Sequence, residues 1–297
     1  MAHICGRFAP SPSGELHIGS LLAAVGSYLA ARHAGGRWLL RIDDLDPPRV
    51  VPGAADAILR SLEVHGLCWD GEVLWQSQRG EAYHAALDTL RAAGLIYPCA
   101  CTRRELTAIA RAGVDGPIYP GTCRHGLPAN RGARAWRLRV ADTRIDFCDA
   151  IQGQQSQQLA QAVGDFVVQR ADGLVAYQLA TVVDDAFQGV TQVVRGVDLL
   201  ASTARQIYLQ RCLGLPQPDY AHLPLLVDAR GAKLGKQTGA KPLDAARASD
   251  NLRRVLTALR LPPPAELHGA PPATLLQWAV AHWNPAALAG VDACAVP

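Results

Sequence analysis

The chain has 297 residues, 49% of them hydrophobic and 19% charged, a globular composition with room for two or three modest domains. A net charge of +3 decides nothing about nucleic acid, and eight scattered cysteines are too few for a disulfide framework. Met1 to Pro10 has no basic-then-apolar leader, and no apolar run reaches the ~18 residues of a membrane span, so a cytoplasmic protein without membrane contact is expected.

Ile4 to Phe8 reads as a short strand, ended by the breaker run Ala9-Pro10-Ser11-Pro12-Ser13-Gly14. Ile18, Leu21, Leu22, Val25 and Leu29 then share one face at helical spacing, Gly35-Gly36 stops that helix, and Trp38 to Ile42 reads as the next strand. Strand, loop, helix and strand make a βαβ unit, whose crossover is almost always right-handed. Two further helices are predicted over 53–65 and 80–93. Residues 96–172 break this regularity with three clustered cysteines, an arginine-rich run and a glutamine-rich piece over 152–161, and are expected to form an inserted domain. Strands return at 192–195 and 224–228, where the parallel sheet is expected to resume. After Lys241 come a helix near 251–259, the turn Pro262-Pro263-Pro264 and a last helix near 275–283. The expected layout is an α/β catalytic domain in two halves, 1–95 and 173–228, around the insertion 96–172, with 229–297 a lysine-bearing loop and a short helical C-terminal region.

The loop from Arg7 to Ser20 runs from a strand's carboxyl end into a helix N-terminus, where backbone N–H groups and the helix dipole attract anions. Gly14 and Gly19 permit close approach, and His17 can donate to a phosphate. Lysine usage points to a partner for this loop. Only three of the 29 basic residues are lysines, Lys233, Lys236 and Lys241, all within nine positions. Lys233 and Lys236, three apart in a Gly-rich stretch, can reach a triphosphate and neutralise charge as pyrophosphate leaves. Between Arg103 and Arg144 nine arginines face Glu105, Asp115 and Asp142, either a phosphate-binding surface or an ordinary solvated face.

The two loops resemble the HIGH and KMSKS signatures of class I aminoacyl-tRNA synthetases. The runs between them are similar to the glutamyl branch: Arg7-Phe8-Ala9-Pro10-Ser11-Pro12-Ser13-Gly14, Leu40-Arg41-Ile42-Asp43-Asp44-Leu45-Asp46, Val194-Arg195-Gly196-Val197-Asp198-Leu199-Leu200 and His222-Leu223-Pro224. Sixty residues follow Gln237, too few for the helical anticodon-reading domains of full glutamyl-tRNA synthetases. The resemblance is therefore to the short glutamyl-queuosine tRNA(Asp) synthetases and implies a Rossmann-like catalytic domain with a zinc-containing α+β insertion and no anticodon-binding domain.

It implies that Arg7, Phe8, Ala9, Pro10, Ser11, Asp43, Tyr177 and Arg195 form a glutamate pocket, the two arginines meeting carboxylates and Asp43 the ammonium. His17, Gly19, Ser20 and Lys236 would hold ATP with Mg²⁺, and His17, Lys233 and Lys236 would serve activation. Glutamyl-adenylate would form without tRNA, and glutamate would pass to the cyclopentenediol of queuosine in the anticodon stem-loop of tRNA(Asp), on a monomeric enzyme. Three departures stand out: Asp43 occurs where glutamyl enzymes usually carry glutamate, Ser20 replaces the last histidine of the first signature, and Gly235 and Gln237 alter the second. The short relatives also imply one structural Zn²⁺ on Cys99, Cys101, Tyr119 and Cys123, with His125 the rival fourth ligand. The rival functions are a compact glutamyl-tRNA(Glu) ligase, a small-molecule adenylyltransferase that uses no RNA, and a non-catalytic RNA-binding paralogue.

Overall fold

The computed structural model describes residues 3–228, 230–234 and 241–295. The first βαβ unit is β1 (Cys5–Phe8), α1 (Ile18–His33) and β2 (Arg37–Ile42), followed by α2 (Ala54–Val64), β3 (Leu74–Trp75) and α3 (Gly80–Ala92). The middle of the chain holds β4 (Ile96–Cys99), α4 (Arg103–Ile109), β5 (Arg111–Gly113), β6 (Gly116–Ile118) and β7 (Ala135–Leu138). It continues with β8 (Arg144–Asp149), β9 (Gly153–Gln158), α5 (Leu159–Ala162) and β10 (Phe166–Gln169). Then come α6 (Tyr177–Phe187), β11 (Gln192–Gly196), α7 (Leu200–Leu213), β12 (Asp219–Leu223) and β13 (Leu225–Val227). The last elements are α8 (Ala248–Ala258), α9 (Pro272–His282) and β14 (Ala293–Ala295).

β3, β2 and β1 pair in parallel, and β11 lies beside β1, where the Thr191 N–H donates to the Cys5 carbonyl at 2.9 Å. β11 pairs in parallel with β12. The chain thus leaves β1 towards one edge of the layer and returns to its other side, the arrangement of a Rossmann-like half. β12 in turn meets β8 at Tyr220 and Asp149, so part of the expected insertion, the β8–β9 hairpin, edges the catalytic sheet. The glutamine-rich piece is mostly β9, a solvent-facing strand that polar residues suit. The strand expected over 224–228 exists as β13 but pairs with β14 rather than joining the main sheet, whose place there is taken by β12.

Helix α1 organises the core. The sequence exposes one apolar face, yet Ala24, Ala30 and Ala31 are buried as well, because the sheet covers one side and α8 and α9 cover another. Burying Leu21, Leu22 and Leu29 to 2% exposure or less is worth about 1.5–3 kcal/mol each. Gly26 permits the closest approach: a Cβ there would lie 2.5 Å from Leu223 Cδ1. This packing fixes the direction in which the N-terminus of α1 points. No helix of the described residues is long and apolar enough to cross a membrane.

Candidate active site

A cavity of about 680 Å³ opens at the carboxyl ends of β1 and β11, where the strand order reverses. Loops leaving those two strands diverge, which is why open parallel sheets hold ligands at such a point. Arg7 and Phe8 reach it from β1, and Ala9, Pro10 and Ser11 from the following loop. His17, Gly19 and Ser20 come from the start of α1, Tyr177 from α6 and Arg195 from β11. Lys233 lines the same cavity and donates to Asp198 Oδ2 at 2.5 Å. Lys236 lies outside the described residues.

His17 is the N-cap of α1. Its Nδ1 accepts from the N–H groups of Gly19 at 3.1 Å and Ser20 at 3.3 Å, and Ser20 Oγ accepts from the His17 N–H at 2.7 Å. An imidazole nitrogen that accepts carries no proton, so the ring hydrogen sits on Nε2. The ring thus carries its N–H at Nε2, in keeping with the donor expected of His17, while two of the backbone N–H groups the sequence offered to an anion are bonded to Nδ1. Gly19 sits in a crowded place. A Cβ there would stand 3.0 Å from the Leu234 carbonyl and 3.1 Å from the His17 ring, so glycine lets the lysine-bearing loop close on α1.

The glutamate set expected from sequence comes together with one exception. Asp43 does not line the cavity; its Oδ1 accepts from Arg41 Nε at 2.8 Å. Burial lifts the Asp43 carboxyl to about 6 even against the pull of Arg41. Arg41, fully buried, also donates through Nη1 to Asp185 Oδ1 at 2.6 Å. Arg7 completes the cluster with Nε to Asp185 Oδ1 at 3.1 Å and Nη2 to Oδ2 at 3.4 Å. Burial opposes the charge on Asp185, but Arg7 and Arg41 outweigh it and hold the carboxyl below its usual range. Arg195 is fixed through Nε to His222 Nε2 at 3.0 Å and Nη2 to Thr203 Oγ1 at 2.9 Å.

Sequence reasoning did not single out Arg41, Asp149, Asp185, Thr203 or His222. Signals existed for some. Arg41 and His222 stand inside the quoted runs, and Asp184-Asp185 follows Val182-Val183, an acidic pair in an apolar stretch. Burial alternates along β8 and puts Asp149 on the inward side with Ile145 and Phe147, an unusual place for a carboxylate. Nothing in the sequence announces Thr203.

The cysteine cluster is a separate site. Cys99, Cys101 and Cys123 bring their Sγ atoms within 4.8 Å of one another, the Cys101–Cys123 pair at 3.7 Å. Tyr119 Oη lies 3.4 Å from Cys99 Sγ and 3.7 Å from Cys101 Sγ. A tetrahedron with ~2.3 Å metal–sulfur bonds has edges of about 3.8 Å, so the three cysteines are compatible with a zinc site, and Tyr119 Oη stands close to two of them. His125 is exposed and lies outside the group. Burial works against a thiolate at Cys99, yet the hydrogen bonds it shares with Tyr119 and Arg137 overcome it and lower the thiol's pKa. Arg137 donates to Cys99 Sγ at 3.3 Å and lies over the Tyr119 ring.

The arginine-rich stretch divides by role. Arg137 is buried, Arg124 pairs with Asp165, Arg131 with Glu105, and Arg139 donates to the Arg124 carbonyl at 2.8 Å. Arg103, Arg104, Arg111, Arg134 and Arg144 are exposed.

A sequence model of the catalytic domain of class I tRNA synthetases (E and Q) matches residues 3–261. The chain is 60% identical over 279 residues to a glutamyl-Q tRNA(Asp) synthetase of Thiobacillus denitrificans, covering 94% of this chain and 93% of that protein. Its identity to the glutamyl-Q tRNA(Asp) synthetase of Dechloromonas aromatica is 58% over 281 residues, with 94% and 93% covered. Among solved structures, a glutamate-tRNA synthetase from Elizabethkingia anophelis superposes with a TM-score of 0.70 at 30% identity. That match covers 80% of this chain and 53% of the other, so the chain spans about half the length of that relative.

Proposed function

The chain belongs to the class I tRNA synthetases of the E and Q type and, within them, to the glutamyl-Q tRNA(Asp) synthetases, and from this we propose that it activates L-glutamate with ATP, without tRNA, and transfers it to queuosine in the anticodon of tRNA(Asp). The observation that carries the reading is the arginine-lined cavity at the sheet's reversal point, in a chain 60% identical to such an enzyme over nearly its whole length.

In the first step the glutamate α-carboxylate oxygen attacks the α-phosphorus of ATP, the bond from that phosphorus to the oxygen bridging the α- and β-phosphates breaks, and pyrophosphate leaves. In the second a hydroxyl of the cyclopentenediol attacks the carbonyl carbon of the adenylate, forming an ester and releasing AMP. The protein's share is positioning and charge stabilisation. Arg7 and Arg195 meet the substrate carboxylates, Tyr177 donates to the substrate, and Phe8, Ala9, Pro10 and Ser11 shape the pocket. Asp43, bound to Arg41, would serve the ammonium through water. His17 Nε2 donates to the phosphates beside Gly19 and Ser20, and Lys233, with Lys236, meets the departing pyrophosphate. Mg²⁺ arrives with ATP, held mainly by phosphate and water.

Cys99, Cys101, Tyr119 and Cys123 hold Zn²⁺ in this reading, which ties β4 to the loop after β6 and supplies folding energy rather than chemistry. The zinc-bearing segment belongs with the RNA, with exposed Arg103, Arg104, Arg111 and Arg134 against the phosphate backbone of a splayed loop.

The test is transfer of labelled glutamate, with ATP, to two tRNA(Asp) samples that differ only in queuosine or guanosine at the wobble position. Label on the queuosine sample alone is expected. Label on tRNA(Glu) instead makes this a compact translation enzyme, and label on no RNA returns the adenylyltransferase reading.

A further inference from the structure

Arg195 lines the cavity, and two of the side chains that hold it, His222 and Thr203, do not. Its Nε donates to His222 Nε2 at 3.0 Å and its Nη2 to Thr203 Oγ1 at 2.9 Å, while Nη1 is buried without a hydrogen-bond partner among the described residues. Leaving a buried guanidinium nitrogen unsatisfied is costly, so in a residue that lines the cavity this nitrogen is the donor still available to a ligand. His222 is fully buried, and its Nδ1 lies 2.5 Å from Asp149 Oδ2. Asp149 is itself pinned: its Oδ1 accepts the N–H groups of Ile151 at 3.0 Å, Gln152 at 2.8 Å and His222 at 3.1 Å.

These contacts permit one protonation pattern. The Arg195 Nε–H must find an acceptor, so His222 Nε2 carries a lone pair and the ring's proton is on Nδ1. Asp149 holds it there by accepting from Nδ1 with the one oxygen that the backbone does not occupy. The opposite tautomer would set an N–H against an N–H at 3.0 Å.

We propose that Asp149 and His222 are positioning residues for glutamate: a buried carboxylate fixes the histidine tautomer that aims the open edge of Arg195 at the substrate carboxylate. This rests on the assignment of Arg195 to that carboxylate. Asp149 comes from β8, the hairpin that edges the catalytic sheet, so the register of Tyr220 against Asp149 sets the aim of a residue on β11.

Asp149→Asn tests the idea sharply because it conserves shape. The three backbone N–H groups keep the amide oxygen on their side, so the amide NH₂ faces His222 Nδ1 and drives the ring's proton to Nε2, against Arg195. Pyrophosphate exchange with purified enzyme should show a glutamate KM raised about 10- to 100-fold, the range for losing one charge-assisted hydrogen bond, with the ATP KM within about twofold of wild type. His222→Gln has no tautomer to set and keeps an acceptor near Nε2; it should lie closer to wild type than His222→Asn, which restores only the contact to Asp149. Adding Asp149→Asn to His222→Gln should then change the glutamate KM little, where a merely structural role would make the two losses add. Melting curves separate misfolding from misplacement. Wild type without glutamate-dependent exchange would sink the functional reading. Wild type with exchange, but an unchanged glutamate KM in Asp149→Asn or equal losses in both His222 variants, would overturn this inference alone.

Discussion

Asp185→Asn should cost the fold about 3–5 kcal/mol, the penalty for breaking a buried ion pair and leaving charge behind. The magnitude follows from what Asp185 touches. Its side chain is 5% exposed, and its oxygens take two bonds from Arg7, 4% exposed, and one from Arg41, which is not exposed at all. An asparagine of the same shape keeps one accepting oxygen but turns an NH₂ towards donors; buried Arg7 loses its paired carboxylate, and Arg41 keeps only Asp43. At roughly 2–4 °C per kcal/mol for chains of this order, the melting temperature should fall on the order of 10 °C. Thermal melts and urea titrations at pH 7.5 measure it, with exposed Asp146→Asn, which weakens only surface contacts with Arg144 and Ser156, as a control that should move by less than about 1 kcal/mol. The sign with pH is fixed as well. The folded carboxyl of Asp185 lies below its unfolded value, so its contribution is complete above about pH 4 and is lost as the pH falls through the lower folded value. A deficit under about 1 kcal/mol at pH 7.5 would refute the account of Asp185 as the charged bridge between the two arginines.

Two other outcomes are expected. Metal analysis of purified protein should find one zinc per chain, and Tyr119→Phe, which keeps the ring over which Arg137 lies, should lose zinc to a chelator faster than His125→Ala; no zinc, or the reverse order, rejects the four-atom site. Because burial lifts Asp43 to about 6, above its unfolded value, its charge costs stability above pH 6 and that cost fades as the pH drops towards 4. Glutamate binding runs the other way. If the carboxylate serves the substrate ammonium, affinity measured calorimetrically should weaken about tenfold per pH unit below 6 in wild type and lack that slope in Asp43→Asn. A profile flat from pH 7.5 to 5 would remove Asp43 from the substrate site.

Much of the molecule is written in local pattern. The breaker run after Phe8, the apolar spacing from Ile18 to Leu29 and the stop at Gly35-Gly36 specify the first βαβ unit, and β1, α1 and β2 lie within a residue or two of where those signals put them. The site's chemistry is also local at its two ends. Arg7 to Ser20 and the lysine cluster are contiguous runs, and their residue types state what they bind before any packing is known. The cysteines, too close in sequence to be incidental, do meet in space.

What packing decided is everything that depends on charges buried far from their partners in sequence. Asp185 and Arg7 are 178 positions apart and His222 and Asp149 are 73 apart, and in sequence each reads only as a polar residue near apolar ones. Their pairing follows from strand order, because β11 returns beside β1 and β8 aligns with β12. Asp43 is the clearest case. Its residue type and motif place it with the substrate, but its carboxylate is spent on Arg41, because a charge at 7% exposure takes the nearest fixed counter-charge. The sequence by itself thus determined which chemical groups are present and in which elements; only the tertiary structure decided which of them remain open to a ligand, since that depends on which buried charges have already satisfied one another.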